Sequence, residues 1–370
     1  FLDYLSQFRF TGQVAAIPEG RVFFGDEPLV EVTAPIIEGQ IVETGIINLL
    51  NLHVSAASKI ARCVHAAQGR RVVDFSLRRT QGASAGMAVA RSGYIAGMHA
   101  TSNVLAGKIY GVPVAGTMAH SYITSFEDEL DAFRTFAEIF GDRTVLLIDT
   151  YNTFSGARKA VRVAKEMASR GQQLRGVRLD SGDMTALSRD VRDLFDREGL
   201  PDVQIFASGG YDEFKIDRCI RDGAAIDAFG VGSKMGVSAD SPYTDMAYKL
   251  VQFGNRPVMK LSSGKQTFIS SKQVFRETTA THFRGDTIAL REEALTGEPL
   301  IEPVMRNGRR IARRDSLDDM RARFKAEFSR LPDGVKSISD AQSYPVGISE
   351  RLTSLQQAVK QEVIDAQVEA

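Results

Sequence analysis

An excess of charge of either sign is missing from this chain of 370 residues, in which 46 Lys and Arg face 46 Asp and Glu. A general nucleic-acid binder carries a net positive footprint, and no block of like charge forms a polybasic arm or an acidic tail, so no nucleic-acid partner is expected. Cysteine is nearly absent. Cys63 and Cys219 are too few for a disulfide framework and lack metal-ligand spacing, which points to a reducing cytoplasm, no structural zinc and no thiol in the site. No apolar run approaches the roughly 20 residues that a membrane helix needs, and no signal-peptide pattern opens the chain, so no membrane association is expected. Low-complexity tracts are also missing, as are internal repeats beyond an alternation of strand and helix. What remains is a composition 43% hydrophobic, ordinary for a globular enzyme with one large domain and one smaller one. The sequence begins at Phe1 rather than Met, which reads as an N-terminal piece lying ahead of it.

Between about residues 70 and 235 one pattern recurs: a short β-branched run, a polar or glycine-rich tip, then a segment with apolar residues three and four apart. The runs are "RVVDFS" (71–76), "GVPVAG" (111–116), "TVLLID" (144–149), "LRGVRLD" (174–180), "VQIFAS" (203–208) and "AIDAFG" (225–230). Each is expected to be a buried parallel strand. Helices are expected between them, as in "EDELDAFRTFAEIFG", where Leu130, Phe133, Phe136, Ala137 and Phe140 form one stripe behind a carboxylate-rich first turn. Six such units imply an open doubly wound sheet or a closed barrel, and both put their active sites at the carboxyl ends of the strands. The flanks differ: residues 10–48 and 245–278 alternate short strands with turns. The sequence therefore divides into a discontinuous α+β domain from 1–70 and 245–345, an α/β barrel over 71–244, and a C-terminal helix within 346–370.

The strand tips carry the chemistry. "DFSLRRTQG" offers the aromatic ring of Phe75, then Arg78 and Arg79; adjacent arginines are commonly solvated, but at a tip their forks suit phosphate or carboxylate. "LLIDTYNT" delivers Asp149 after apolar residues, where an unpaired carboxylate is costly and a rim partner is expected. "GVRLDSGD" puts Arg178 and Asp180 on one strand face, consistent with an internal ion pair or with a ligand role. "ASGGYDE" and "FGVGSKMG" bring Ser208, Gly209 and Gly210, then Gly230, Gly232 and Ser233, to two consecutive tips, where backbone N–H groups make an anion nest. "GTMAHS" adds His120. Together these suit a substrate with phosphates and a sugar, without naming a reaction.

In order and spacing, "DFSLRRTQG", "TSNVLAGKIYGVPVAGTMAHS", "LLIDTYNT", "GVRLDSGD", "ASGGYDE" and "FGVGSK" resemble nicotinate phosphoribosyltransferase, a type II phosphoribosyltransferase. The likeness continues through "KLVQFGNRPVMKLSSGKQT" and "YPVGIS" and so covers nearly the whole chain. It implies an irregular (β/α) barrel with a second, discontinuous α+β domain, usually in a homodimer with a shared active site. It also implies condensation of nicotinate with phosphoribosyl pyrophosphate to nicotinate mononucleotide and pyrophosphate, coupled to hydrolysis of ATP as co-substrate, in NAD biosynthesis. By matching positions, Phe75 would stack on the pyridine, and Arg78, Arg79, Ser102, Asn103 and Asp149 would bind substrate. Arg178 and Asp180 would be catalytic, with Asp180 also at Mg²⁺, and Ser208, Gly209, Gly210, Gly230, Gly232 and Ser233 would hold the 5′-phosphate. His120 falls on the family's phosphorylatable histidine. Three departures stand out: Ser76 where Gly is common, Gly209 where an acidic residue is common, and no counterpart to an N-terminal tyrosine that completes the partner's pyridine site, since Tyr4 does not match it. A relative using nicotinamide or quinolinate, or a nucleotide sensor without turnover, is the alternative; the Arg78–Arg79 pair favours an anionic pyridine.

Overall fold

A computed structural model describes residues 1–261 and 267–367. Of the stretches singled out in the sequence, 262–266 of the 249–267 run and 368–370 of the C-terminal helix lie outside the described residues. The chain forms two compact units, residues 52–244 and residues 1–51 with 245–370.

The continuous unit is built on a six-stranded, wholly parallel sheet. Its spatial order is Ala100–Thr101, Arg71–Asp74, Ala228–Val231, Gln204–Ala207, Gly176–Leu179 and Val145–Leu147. Strands in such a sheet are covered on both faces and read as near-continuous apolar runs. Accordingly Leu146, Leu147, Val177, Leu179, Ile205, Ala207, Phe229 and Val231 are wholly buried, each worth about 1.5–3 kcal/mol for the larger side chains. Helices Thr153–Ala168, Met184–Arg197 and Glu213–Arg221 each follow a strand, and Glu129–Phe140 follows the short helix His120–Thr124. Their starts are fixed by the residue just before each: Asn152, Asp183, Asp212 and Asp128 each accept a backbone N–H of the first turn. The result is the irregular α/β barrel expected from the sequence, with its polar tips gathered at the carboxyl ends of the strands.

One strand is corrected. "GVPVAG" is no core strand: Val114 makes a single parallel bridge to Thr101 and is half exposed, and of the run only Val112 is buried. Pro113 has no N–H to give a ladder, so the segment is held by Thr101 N donating to the Pro113 carbonyl and Ala115 N donating to that of Thr101, both at 3.0 Å. The strand in that position of the series is instead Ala100–Thr101, two residues long.

The other unit is α+β. One antiparallel sheet runs Arg309–Arg310, Glu302–Arg306, Gln13–Ala16, Val30–Thr33, and a second runs Glu298–Pro299, Lys272–Thr278, Phe283–Leu290, Val346–Ile348, the last pair parallel. Ile269, Val274, Ile288, Leu290, Leu300, Ile301, Leu352 and Val359 form its core, the last two from the C-terminal helix Glu350–Gln367. Beside it the buried Arg276 guanidinium donates to Asp286 and Glu327, and the Tyr344 hydroxyl donates to Asp286. Residues 36–48, expected to alternate short strands with turns, instead open a helix that runs from Ile36 to Ala66; the division between units falls inside it, and the expected boundary at residue 70 lies just past its end.

Candidate functional site

Arg178 is the hub of the site. It alternates with the buried Val177 and Leu179 on the Gly176–Leu179 strand, so its side chain leaves the opposite face. All three guanidinium nitrogens are engaged: Nε donates to Ser208 Oγ (2.8 Å), Nη1 to Thr117 Oγ1 (2.7 Å) and the Met118 carbonyl (3.3 Å), and Nη2 to Asp180 Oδ1 (2.7 Å). The guanidinium carbon lies 5.6 Å from the centroid of the Phe75 ring, within cation–π range. A cation fixed this way cannot swing to meet an incoming charge, so it is preorganised for one.

Asp180 is shared. Its Oδ1 also accepts from the Ser208 hydroxyl, and its Oδ2 lies 3.8 Å from His120 Nε2. Burial alone would raise this carboxyl; the Ser208 hydrogen bond and the Arg178 charge outweigh it and hold the group below the ordinary aspartate range. His120 opens the short helix His120–Thr124 and meets Thr150 through Nδ1 at 3.1 Å. Asp149 Oδ2 accepts from the backbone N–H groups of Asp180 (2.8 Å) and Ser181 (2.9 Å) and from the Ser181 hydroxyl (2.9 Å), while its Oδ1 is buried without a hydrogen-bond partner.

The glycines are there because side chains do not fit. Gly209 has φ +105°, and a Cβ on it would collide with the Asp180 carbonyl oxygen. A Cβ on Gly230 would press into the Phe75 and Phe206 rings. These two rings lie 5.7 Å apart, so the aromatic wall has two members.

The structure thus brings Phe75, His120, Asp149, Arg178, Asp180, Ser208, Gly209 and Gly230 into one connected set, with Gly232 against the Phe75 carbonyl. Arg78 and Arg79 sit exposed on the turn Leu77–Arg79 just after Phe75. Asn103 is buried, its amide oxygen capping the helix Val104–Tyr110 through Ala106 N, and Ser102 is half-buried beside it. Gly210 follows Gly209 at φ +66°, and Ser233 is exposed at the start of the turn Ser233–Gly236. The sequence reading gave no role in the site to Thr117, Thr150, Ser181 or Phe206, each a single residue within three positions of one that it did assign. Cys63 and Cys219 are buried away from the set, and burial pushes the Cys63 thiol up, against reactivity.

Comparison with known proteins places this arrangement. Residues 70–284 match the profile described as the nicotinate phosphoribosyltransferase (NAPRTase) family, residues 1–51 that of its N-terminal domain and residues 293–356 that of its C-terminal domain. The nicotinate phosphoribosyltransferase pncB2 of Mycobacterium tuberculosis is 46% identical over 354 residues, 95% of this chain and 76% of that protein. Nicotinate phosphoribosyltransferase of Bacillus subtilis is 34% identical, covering 90% of this chain and 74% of that one. Among solved structures, human nicotinic acid phosphoribosyltransferase superposes with a TM-score of 0.86 at 27% identity, over 97% of this chain and 85% of that one. A nicotinate-nucleotide pyrophosphorylase from Pyrococcus furiosus gives 0.75 at 26% identity, over 88% and 85%.

Proposed function

Because this chain belongs to the nicotinate phosphoribosyltransferase family, we propose that it joins nicotinate to phosphoribosyl pyrophosphate, giving nicotinate mononucleotide and pyrophosphate for NAD biosynthesis. The observation that carries the reading is Arg178, a cation locked by four hydrogen bonds beside the Phe75 ring and next to a carboxylate held ionised. In this reaction the C1–O bond of the donor breaks, positive charge grows on the ribose and negative charge on the departing pyrophosphate. A cation that needs no reorganisation stabilises that departing charge as it forms. Phe75 and Phe206 supply a flat apolar wall for the pyridine ring, and Arg78 and Arg79, one turn on, meet its carboxylate. Asp149 and Asp180 face the ribose, and the tips at Ser208–Gly210 and Gly230–Ser233 accept the 5′-phosphate.

The donor set also fits Mg²⁺. This ion is commonly held by one or two carboxylates together with substrate phosphates. Asp149 retains an unpartnered buried oxygen, and Asp180 stands beside it; these two would hold the ion, which when bound neutralises pyrophosphate charge. His120, oriented through Nδ1 by Thr150, is the residue that takes the γ-phosphoryl group of ATP, the bond to the bridging oxygen breaking as ADP leaves, so that hydrolysis is tied to synthesis. The same reading makes the protein a cytoplasmic homodimer with a shared active site. No helix among the described residues is long and apolar enough to cross a membrane.

The test is product formation by purified protein with phosphoribosyl pyrophosphate, Mg²⁺ and each of nicotinate, nicotinamide and quinolinate, with and without ATP. Nicotinate mononucleotide should form fastest from nicotinate and faster with ATP. Equal rates from nicotinate and nicotinamide, or turnover of quinolinate alone, overturn the substrate; no effect of ATP overturns the coupling.

A further inference from the structure

The two glycine tips leave neighbouring strands, paired through Phe206 with Ala228 and Ala207 with Phe229. Each tip is anchored on its own side. In the first, the Lys215 ammonium donates to the Gly209 carbonyl at 2.7 Å while lying 4.6 Å from the centroid of the Tyr211 ring, and Gly209 is wedged under the Asp180 carbonyl. In the second, Gly236 packs so closely on Ser76 that a Cβ there would collide with its side chain. Between them runs one salt bridge: Lys234 Nζ donates to Asp212 Oδ2 at 2.6 Å. Asp212 is buried and its other oxygen is already engaged, capping helix Glu213–Arg221 through Lys215 N at 2.8 Å.

Both residues lie within the quoted tips, Asp212 in "ASGGYDE" and Lys234 in "FGVGSK", without a role assigned there, and Asp212 has one structural task of its own as the cap of helix Glu213–Arg221. Their pairing has two consequences for an anion between the tips. Glycine-rich segments are free to open, and an anion gains from N–H groups of both tips only when their separation suits a single phosphate; a charge-assisted hydrogen bond fixes that separation. Asp212 also carries a negative charge at the rim of the cradle, which would repel a phosphate unless cancelled nearby.

We propose that the Lys234–Asp212 pair is a positioning device for the phosphoribosyl donor: it ties the two glycine tips together and cancels the Asp212 charge beside the 5′-phosphate. The proposal rests on the reading of these tips as the phosphate cradle. It predicts an unusual order among variants. Lys234→Met, which keeps the stem but bares Asp212, raises KM for phosphoribosyl pyrophosphate about tenfold, with kcat and KM for nicotinate nearly unchanged. Adding Asp212→Asn, which retains the helix cap, brings that KM back to within about threefold of the original. Lys234→Arg restores it alone.

The experiment measures these constants for the full chain, together with the Kd of ribose 5-phosphate by calorimetry, which needs no turnover. A double variant worse than Lys234→Met, or an unchanged donor KM in Lys234→Met, overturns the proposal while the enzyme reading stands. Absence of nicotinate mononucleotide synthesis in the unaltered protein, with the predicted order of ribose 5-phosphate affinities intact, overturns the enzyme reading and supports the positioning role.

Discussion

Arg178 and Asp180 form an ion pair two residues apart on one strand, Nη2 to Oδ1 at 2.7 Å, and Ser208 from the adjoining tip hydrogen-bonds to both. The pair is therefore neither a simple internal ion pair nor a free ligand set. Its members immobilise one another while the guanidinium also faces the Phe75 ring.

Arg178→Lys keeps the charge and removes the fork, so the contacts to Thr117, Ser208 and Asp180 cannot all be made at once. We expect kcat/KM for nicotinate mononucleotide synthesis to fall by about 10²–10³, the usual loss for a preorganised group facing developing charge. Steady-state kinetics decide it, and a loss under fivefold sinks the role.

His120→Asn should abolish the stimulation of synthesis by ATP while leaving ATP-independent synthesis measurable, because the substitution removes the nucleophile without touching Arg178 or Phe75. Rates with and without ATP in the same preparation are the readout. Stimulation retained at the original level rules out a phosphohistidine.

Gly209→Ala combines a left-handed φ with a collision against the Asp180 carbonyl, a backbone atom that cannot rotate away. A cost of about 1–3 kcal/mol is expected from strain of this kind, seen as a lower denaturation midpoint and as weaker donor binding. Unaltered stability would mean that the tip relaxes freely.

Glu27 gives a pH prediction in the other unit. Burial, then the neighbouring Asp286, push its carboxyl from the usual value near 4.5 up to about 9, while the Phe24 N–H donates to Oε2. A group that binds its proton more tightly when folded adds stability that is fully present below its unfolded pKa and is lost as pH rises through its folded one. Stability of the unaltered protein should therefore decline between pH 4.5 and 9 through this site. Glu27→Gln should flatten that decline, with a gain of about 1–3 kcal/mol over the original at pH 9. Urea denaturation at pH 7 and pH 9 tests it, and parallel pH dependence in the two proteins refutes it.

Legibility from sequence followed the size of the physical signal. Runs such as "TVLLID" and "VQIFAS" are apolar because both sheet faces are covered, and their strands were found to within a few residues. Ala100–Thr101 was missed because two residues make no run, and "GVPVAG" was misread because a half-exposed edge segment has the same apolar composition as a core strand. Pro113 was the warning, since proline within a run demotes it to an edge. In the site, charged or glycine-rich tips announced themselves, whereas Thr117 and Thr150 are lone hydroxyls whose importance comes only from what the fold sets opposite them. The start of helix Ile36–Ala66 was hidden because the strand-like spacing that precedes it was carried on to residue 48.

The division of the chain carries a consequence for biosynthesis. Strand Gln13–Ala16 pairs with both Val30–Thr33 and Glu302–Arg306, so its second partner leaves the ribosome about 270 residues after the first, on the order of 15–60 s at usual elongation rates. During that interval residues 52–244, continuous in sequence, can complete their sheet. The N-terminal hairpin waits, bearing one unsatisfied edge, and its strands of four residues each offer a stray chain little to pair with. Order of emergence and shortness of strand together make a discontinuous domain safe to synthesise.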